Sequence, residues 1–97
     1  MIVHIVMFEF KEENKKENLQ KVKTLLEELE NKIDVLNTIE VGINFDTASR
    51  AMDLSLYSTF DSKEDLATYA QHEEHLKVVS VIKEVTLSSK VSDYTLD

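Results

Sequence analysis

The sequence predicts an α+β domain in which a four-stranded antiparallel sheet carries two helices on one face. Three observations indicate this fold class. A stretch rich in β-branched and aromatic residues opens the chain, two helical patterns each follow an N-capping signature, and two alternating apolar and polar stretches lie between them. Apolar periods near 3.6 and 2 residues are typical of surface helices and half-buried strands. The predicted element order is therefore β-α-β-β-α-β.

The first strand is predicted over Ile2 to Lys11, where both alternating sets are apolar. One set contains Val3, Ile5 and Met7, and the other contains Ile2, Val6 and Phe8. A strand of this kind is covered on both faces, yet the predicted helices cover only one. We therefore expect a second copy of the chain to cover the other face and form a homodimer. The alternative is a monomer that tolerates one apolar set at its surface.

The first helix is predicted to begin at a capping box formed by Asn14 and Glu17. After this box, apolar residues recur at spacings of three and four, while Lys and Glu fill the opposite face. The apolar positions are Leu19, Val22, Leu25, Leu26, Leu29 and Ile33. The spacing predicts a helix that buries one stripe in the core.

Two alternating stretches then predict a hairpin. The first runs from Ile39 to Phe45 and the second from Met52 to Phe60, with a polar connection of about six residues between them. The chain ends in residues that favour strand over helix, so a last strand is predicted over Leu87 to Leu96.

The second helical pattern follows the hairpin. Ser62 and Asp65 repeat the capping signature, with Asp61 as an alternative cap. Apolar positions at helical spacing continue to about Glu84, so this helix either continues through residues 72–74 or stops and resumes there. With this element the chain has the complete pattern of a ferredoxin-like, split βαβ fold.

Composition excludes several classes of function. The 97 residues predict a single domain over 1–97, and the net charge of -8 argues against a nucleic-acid partner. The chain has one glycine, no proline and no cysteine, which argues against phosphate-binding loops, disulfides and thiol chemistry. No apolar run is long enough for a membrane span. Because no export signal precedes the first strand, we expect a cytoplasmic protein.

The stretch Y-A-Q-H-E-E-H-L, from Tyr69 to Leu76, holds two of the three histidines. His75 shares a helical face with Val78, Val79 and Ile82, so we expect it to point to the interior. A neutral imidazole there can take a proton from a carbon made acidic by a neighbouring carbonyl, provided that a hydroxyl such as that of Tyr69 steadies the oxyanion. The alternative is a core histidine that has one satisfied hydrogen bond.

The other two histidines have simpler expected roles. His72 is predicted to be a solvated helix residue. No metal is expected, because zinc sites on a helix more often use histidines at i, i+4, and only His4 or a carboxylate is available to complete the set of His72 and His75. His4 faces the same side as Ile2 and Val6, where it is either a polar group of a pocket or a buried histidine bonded to backbone. Tyr57 and Tyr94 are expected to serve in packing.

The segment His4 to Lys11, the charged helix, the hairpin and the segment Tyr69 to His75 together resemble the stress-responsive A/B barrel (Dabb) family over essentially the whole chain. The resemblance implies a ferredoxin-like monomer whose sheets pair into a dimeric α/β barrel. Several members have no assigned activity. One plant member is a cyclase that performs an aldol condensation without a cofactor, and its base, assisting tyrosine and pocket histidine match His75, Tyr69 and His4. Another plant member holds a magnesium ion near its dimer interface.

The sequence departs from the family pattern at Glu73, where members usually have proline. On an unbroken helix Tyr69 and His75 would point about 120° apart, so only a break between them lets both side chains meet. Two functions stay open: cofactor-free acid–base chemistry on a small carbonyl compound, or a non-catalytic homodimeric module that binds a small ligand or acts in stress response. Monooxygenase chemistry on the same barrel is a minor alternative. A cavity that touches His75 would distinguish the first function from a closed core.

Overall fold

The computed structural model describes all 97 residues, and its elements follow the predicted order with the second helix divided in two. The strands are β1 (Ile2–Phe10), β2 (Thr38–Ile43), β3 (Leu54–Phe60) and β4 (Thr86–Thr95). The helices are α1 (Lys15–Glu28), extended by a 3-10 turn at Leu29–Asn31, α2 (Lys63–Gln71) and α3 (Glu73–Val85). The predicted α+β class is confirmed.

The four strands form one antiparallel sheet in the order β2-β3-β1-β4. In this register His4 of β1 lies opposite Ser58 of β3 and Asp93 of β4. Even-numbered residues of β1 face the helices, where 15 buried apolar residues form the core. Because opposite residues of an antiparallel pair share one face, the register places His4 and Asp93 together on the helix side.

The two predicted helix caps have different outcomes. The Ser62 hydroxyl accepts a hydrogen bond from the Asp65 amide at 3.1 Å, which confirms that cap. The Asn14 capping box is wrong, since Asn14 has φ 52° and its side chain makes no capping bond. An N-cap side chain reaches the first-turn amides from an extended backbone. Asn14 instead takes the left-handed conformation that its short polar side chain tolerates.

The hairpin connection is longer than predicted. The strand β2 ends at Ile43 rather than Phe45, and β3 begins at Leu54. Asn44 and Asp46 each accept a backbone amide two residues further on, and such local bonds compete with the strand ladder. Phe45 therefore lies outside the sheet, with 97% of its surface exposed.

The sheet face away from the helices carries an apolar patch. We call the side chains of Ile5, Met7, Tyr57 and Tyr94 the open-face patch. Ile5 is half-buried, and the other three are 37 to 43% exposed. Val3 on the same face is fully buried by its neighbours. None of the helices is long and apolar enough to cross a membrane.

Candidate active-site cavity

The second predicted helix breaks at His72. The helix α2 ends at Gln71, His72 is extended (φ -64°, ψ 136°), and α3 begins at Glu73. The His72 Nδ1 atom accepts a hydrogen bond from the Glu74 amide at 3.1 Å. The prediction that His72 is a solvated helix residue was therefore wrong, because the half-buried imidazole caps α3.

Glu73 is compatible with this break although it is not proline. It occupies the first position of α3, where a backbone amide has no partner within the helix. A carboxylate at this position is also favoured by the helix dipole. The extended backbone of His72, rather than a missing amide at residue 73, ends α2 and redirects the chain.

The break brings the three predicted site residues together. The ring centroids of Tyr69 and His75 are 4.4 Å apart with an interplanar angle of 43°. The ring centroids of His4 and Tyr69 are 6.4 Å apart. Tyr69 also packs against Phe60 at 5.0 Å. The helices α2 and α3 and the strands β1 and β3 thus contribute side chains to one aromatic cluster.

A cavity of about 280 Å³ lies between the sheet and α3 and is lined by both His4 and His75. Much of its wall is apolar, from Val6, Phe8, Leu26, Leu56, Val79 and Ile82. Tyr69 is not part of the wall. Its ring is buried, and its hydroxyl makes no hydrogen bond with any protein group.

The hydrogen bond of His75 defines which nitrogen is free. Its Nδ1 atom lies 3.1 Å from the carbonyl oxygen of Ala70. A carbonyl only accepts, so Nδ1 carries the proton and Nε2 of the neutral ring has the lone pair. Burial, together with the charges of His4 and His72, lowers the pKa of His75, and the bond to Ala70 opposes this shift. The ring is therefore neutral near pH 7 and able to act as a base.

Tyr69 differs from His75 in that its side chain keeps its proton. Burial raises the pKa of its phenol to about 12, so the hydroxyl stays protonated at neutral pH. An unpartnered buried hydroxyl is costly to maintain. Tyr69 can donate to an oxygen atom that comes within reach, and it cannot serve as the base.

Asp93 is a residue that the sequence did not identify. Its carboxylate is hydrogen-bonded to Nδ1 of His4, so the partner of His4 is an acid rather than backbone. This contact leaves Nε2 of His4 as the other polar atom of the ring. The strand register pairs His4 with Asp93. This register depends on how β1 and β4 are aligned, which one sequence does not display.

The histidines and glutamates near the break do not form a metal-binding set. No group of three or more His, Asp or Glu side chains is arranged to hold an ion. The Nδ1 atom of His72 is used in capping, and Glu74 pairs with Lys77 at 3.0 Å. Tyr57 and Tyr94 lie on the other face of the sheet and do not line the cavity.

A known protein family and several solved structures are similar to this chain. The model of the stress responsive A/B barrel domain matches residues 2–96. A dimeric protein of unknown function from Bacteroides fragilis, with a ferredoxin-like fold, is 32% identical over 98% of this chain and 95% of its own, with a TM-score of 0.88. No curated protein matches.

Two more distant structures share the fold. A hydroxynitrile lyase from Passiflora edulis is 15% identical over 99% of this chain and 93% of its own, with a TM-score of 0.87. A candidate antibiotic biosynthesis monooxygenase from Nitrosomonas europaea is 17% identical over 98% and 97%, with a TM-score of 0.79. The match over residues 2–96 shows that the chain belongs to the stress responsive A/B barrel domain family.

Proposed function

We propose that the chain binds a small carbonyl or apolar molecule in the cavity at His75 and that His75 acts as a general base on it. The orientation of His75 carries this proposal. Its Nδ1 is held by the Ala70 carbonyl, its pKa is lowered by burial, and the ring lines the cavity. A neutral, oriented imidazole beside an apolar space is what proton abstraction from carbon requires.

The proposed reaction is an aldol-type addition that uses only groups of the chain and of its ligand. The lone pair on Nε2 of His75 takes a proton from a carbon next to a carbonyl, and the electron pair of the C–H bond moves onto the carbonyl oxygen. A donor such as His4, or the Tyr69 hydroxyl after a small shift of its ring, stabilises that oxyanion. Attack of the carbon on a second carbonyl forms a C–C bond, and the imidazolium returns its proton to the new alkoxide.

A non-catalytic binding module is the second candidate. The observation that favours it is the position of Tyr69, which does not line the cavity although it is the expected oxyanion donor. The distant hydroxynitrile lyase supports catalysis by analogy of fold only. In the second candidate, His75 would donate or accept one hydrogen bond to a bound ligand without moving a proton.

We also propose that the chain is a homodimer whose two sheets face each other across the open-face patch. The patch is too apolar to be favourable in water, and the Bacteroides fragilis relative is dimeric. A stable interface of standard size removes about 800 Å² from each partner, which the face of a four-stranded sheet can supply.

A β-keto ester such as ethyl acetoacetate tests both binding and chemistry. Binding is measured as a shift in melting temperature, and proton abstraction as hydrogen–deuterium exchange at the carbon between the carbonyls, followed by NMR in D₂O. We expect the wild type to exceed the buffer rate and His75→Ala to return to it. Leu76→Ala, which changes an exposed neighbour outside the cavity, is the matched control.

The outcomes separate the candidates. Binding that depends on His75 without enhanced exchange would support the non-catalytic module. Neither binding nor exchange across a series of β-keto compounds would contradict both. Enhanced exchange that persists in His75→Ala would show that another group is the base.

A further inference from the structure

The cavity at His75 has polar groups at two opposite ends. His4 and His75 form one end, which we call the histidine end. Lys83, Thr86 and Ser89 form the other, which we call the lysine end. The wall between them is apolar, from side chains such as Val6, Leu56 and Val79. The polar groups are therefore separated along the cavity rather than scattered around it.

Two elements give the same distance between these ends. Along α3, the eight positions from His75 to Lys83 span about 12 Å at 1.5 Å per residue. Along β1, the four positions from His4 to Phe8 span about 13 Å. Phe8 lies opposite Ser89 in the sheet. The distance along β1 and the distance along α3 therefore both finish at the lysine end of the cavity.

Lys83 is free to meet a ligand. Lysines 15, 23, 32 and 77 pair with carboxylates within 4.0 Å, whereas Lys83 and five other lysines form no ion pair. Among these unpaired lysines, Lys83 alone lines the cavity at His75. In a chain with a net charge of -8, an unpaired lysine at a cavity end is a specific attraction for a negative group. The Ser89 hydroxyl adds a hydrogen-bond donor at the same end, whereas the Thr86 hydroxyl already donates to the Ile82 carbonyl at 2.8 Å.

We propose that the ligand of this cavity is an elongated carboxylate whose charged group lies at Lys83 and whose carbonyl lies at the histidine end. This proposal rests on the proposed function, because it assigns the substrate class of the same cavity. The volume of about 280 Å³ lies close to the lower end of the roughly 300–1,000 Å³ found for small-molecule sites. An extended chain covers about 3.5 Å per three bonds, so about 12 Å corresponds to about ten bonds. A hydrogen bond of about 2.9 Å to a protein group at one or both ends takes up part of this length, which leaves an oxo acid of about eight to ten carbons.

The test compares three eight-carbon probes that differ in charge and carbonyl content. Octanoate, 2-octanone and 7-oxooctanoate are titrated by calorimetry at low ionic strength and pH 7.5. The wild type is compared with Lys83→Glu, with the control Lys21→Glu, and with His75→Ala and Val79→Trp. The control makes the same charge change on α1, away from this cavity and from any ion pair.

We expect Lys83→Glu to weaken binding of both carboxylates by about three- to tenfold, the range for an exposed charge pair replaced by repulsion. The affinity for 2-octanone should not change, and Lys21→Glu should leave all three affinities near wild type. Added salt should reduce the difference between wild type and Lys83→Glu. Val79→Trp, which fills the apolar middle, should abolish binding of all three probes.

Each other outcome identifies what has failed. If 2-octanone binds and His75→Ala weakens it, but Lys83→Glu leaves the carboxylate affinities unchanged, the carboxylate class is overturned and the proposed function stands. If no probe binds the wild type, both are overturned. Binding that survives in Val79→Trp would overturn the assignment to this cavity.

Discussion

The imidazole of His75 lies against the phenol ring of Tyr69, with ring centroids 4.4 Å apart, although the two residues would diverge on an unbroken helix. The contact exists because His72 is extended and caps the helix that begins at Glu73. The geometry of the candidate site therefore depends on the backbone break at His72. This break depends in turn on His72 serving as the N-cap of α3.

The first prediction concerns Glu73. Replacing Glu73 with proline should change the free energy of unfolding by less than about 1 kcal/mol. Proline fits the first position of a helix, and the preceding His72 already has the extended backbone that proline requires. The lost carboxylate at the helix N-terminus offsets part of the gain from a stiffer unfolded chain. Denaturant unfolding measures the difference.

Ser80→Pro is the matched control, because Ser80 is exposed in the middle of α3. There proline should cost about 3 kcal/mol or more, since it removes a helical hydrogen bond and clashes with the preceding turn. Equal losses for Glu73→Pro and Ser80→Pro would contradict the helix break at His72.

The second prediction is a pH dependence that arises from His75. Its pKa is lowered in the folded state, chiefly by burial, so below about pH 6.5 the unfolded chain binds a proton that the folded chain resists. The corresponding stability is fully present above pH 6.5 and is lost as the pH falls toward the lowered pKa. The free energy of unfolding should fall on acidification from pH 7.5 to pH 5.

His75→Gln isolates this effect. Glutamine retains a donor for the Ala70 carbonyl but cannot bind a proton in this range. The variant should lose less stability than the wild type between pH 7.5 and pH 5, and the difference between the two curves is the contribution of His75. Parallel curves would show that the folded state does not disfavour the imidazolium. His4, with its partner Asp93, and His72 are present in both proteins, so their contributions cancel to first order.

The third prediction separates stability from function at Tyr69. The hydroxyl is buried without a partner, and such a group costs roughly 1–3 kcal/mol. Tyr69→Phe should therefore unfold at the same or higher denaturant concentration than the wild type. If the hydroxyl donates to a ligand oxygen, the variant should also lose exchange activity toward the β-keto ester. A clear loss of stability would show that the hydroxyl has a hydrogen-bond partner in solution.

Tyr57→Phe is the comparison for this variant, since Tyr57 lies on β3, away from the cavity, and its ring is partly exposed. Within the chain, the Tyr57 hydroxyl is not a buried group that lacks a partner, so its removal recovers no such cost. We expect little change in stability there, and none in exchange activity.

Much of the fold follows from patterns that a single sequence displays. The stripe of α1 and the alternation of β3 are consequences of helical and strand periods, and both elements lie where they are predicted. The Asn14 cap failed because residue type does not determine backbone conformation. At this position Asn14 adopts a left-handed conformation with φ 52°.

The site was less accessible to sequence reasoning because it depends on relations across the fold. The periodicity of α3 indicated that His75 faces inward, and the structure agrees. The contact between His4 and Asp93 depends on the register of β1 and β4, which brings together two residues that are 89 positions apart in sequence. Lys83 becomes notable only when α3 and β4 are seen to close one cavity. Asp93 and Lys83 therefore have no local signal in the sequence.

The last prediction concerns the open-face patch. Met7 is 40% exposed on the sheet face away from the helices, so Met7→Asp should leave the fold of each chain intact. In the proposed dimer, two-fold symmetry would bury the new carboxylate twice in an apolar interface. We expect the dissociation constant to rise by about two orders of magnitude or more, since each 1.4 kcal/mol is tenfold. Sedimentation velocity at micromolar concentration measures the change. Leu76→Asp, on α3 and away from the patch, is the control that should remain dimeric. A monomeric wild type, or a Met7→Asp variant as dimeric as the control, would contradict the pairing of the two sheets.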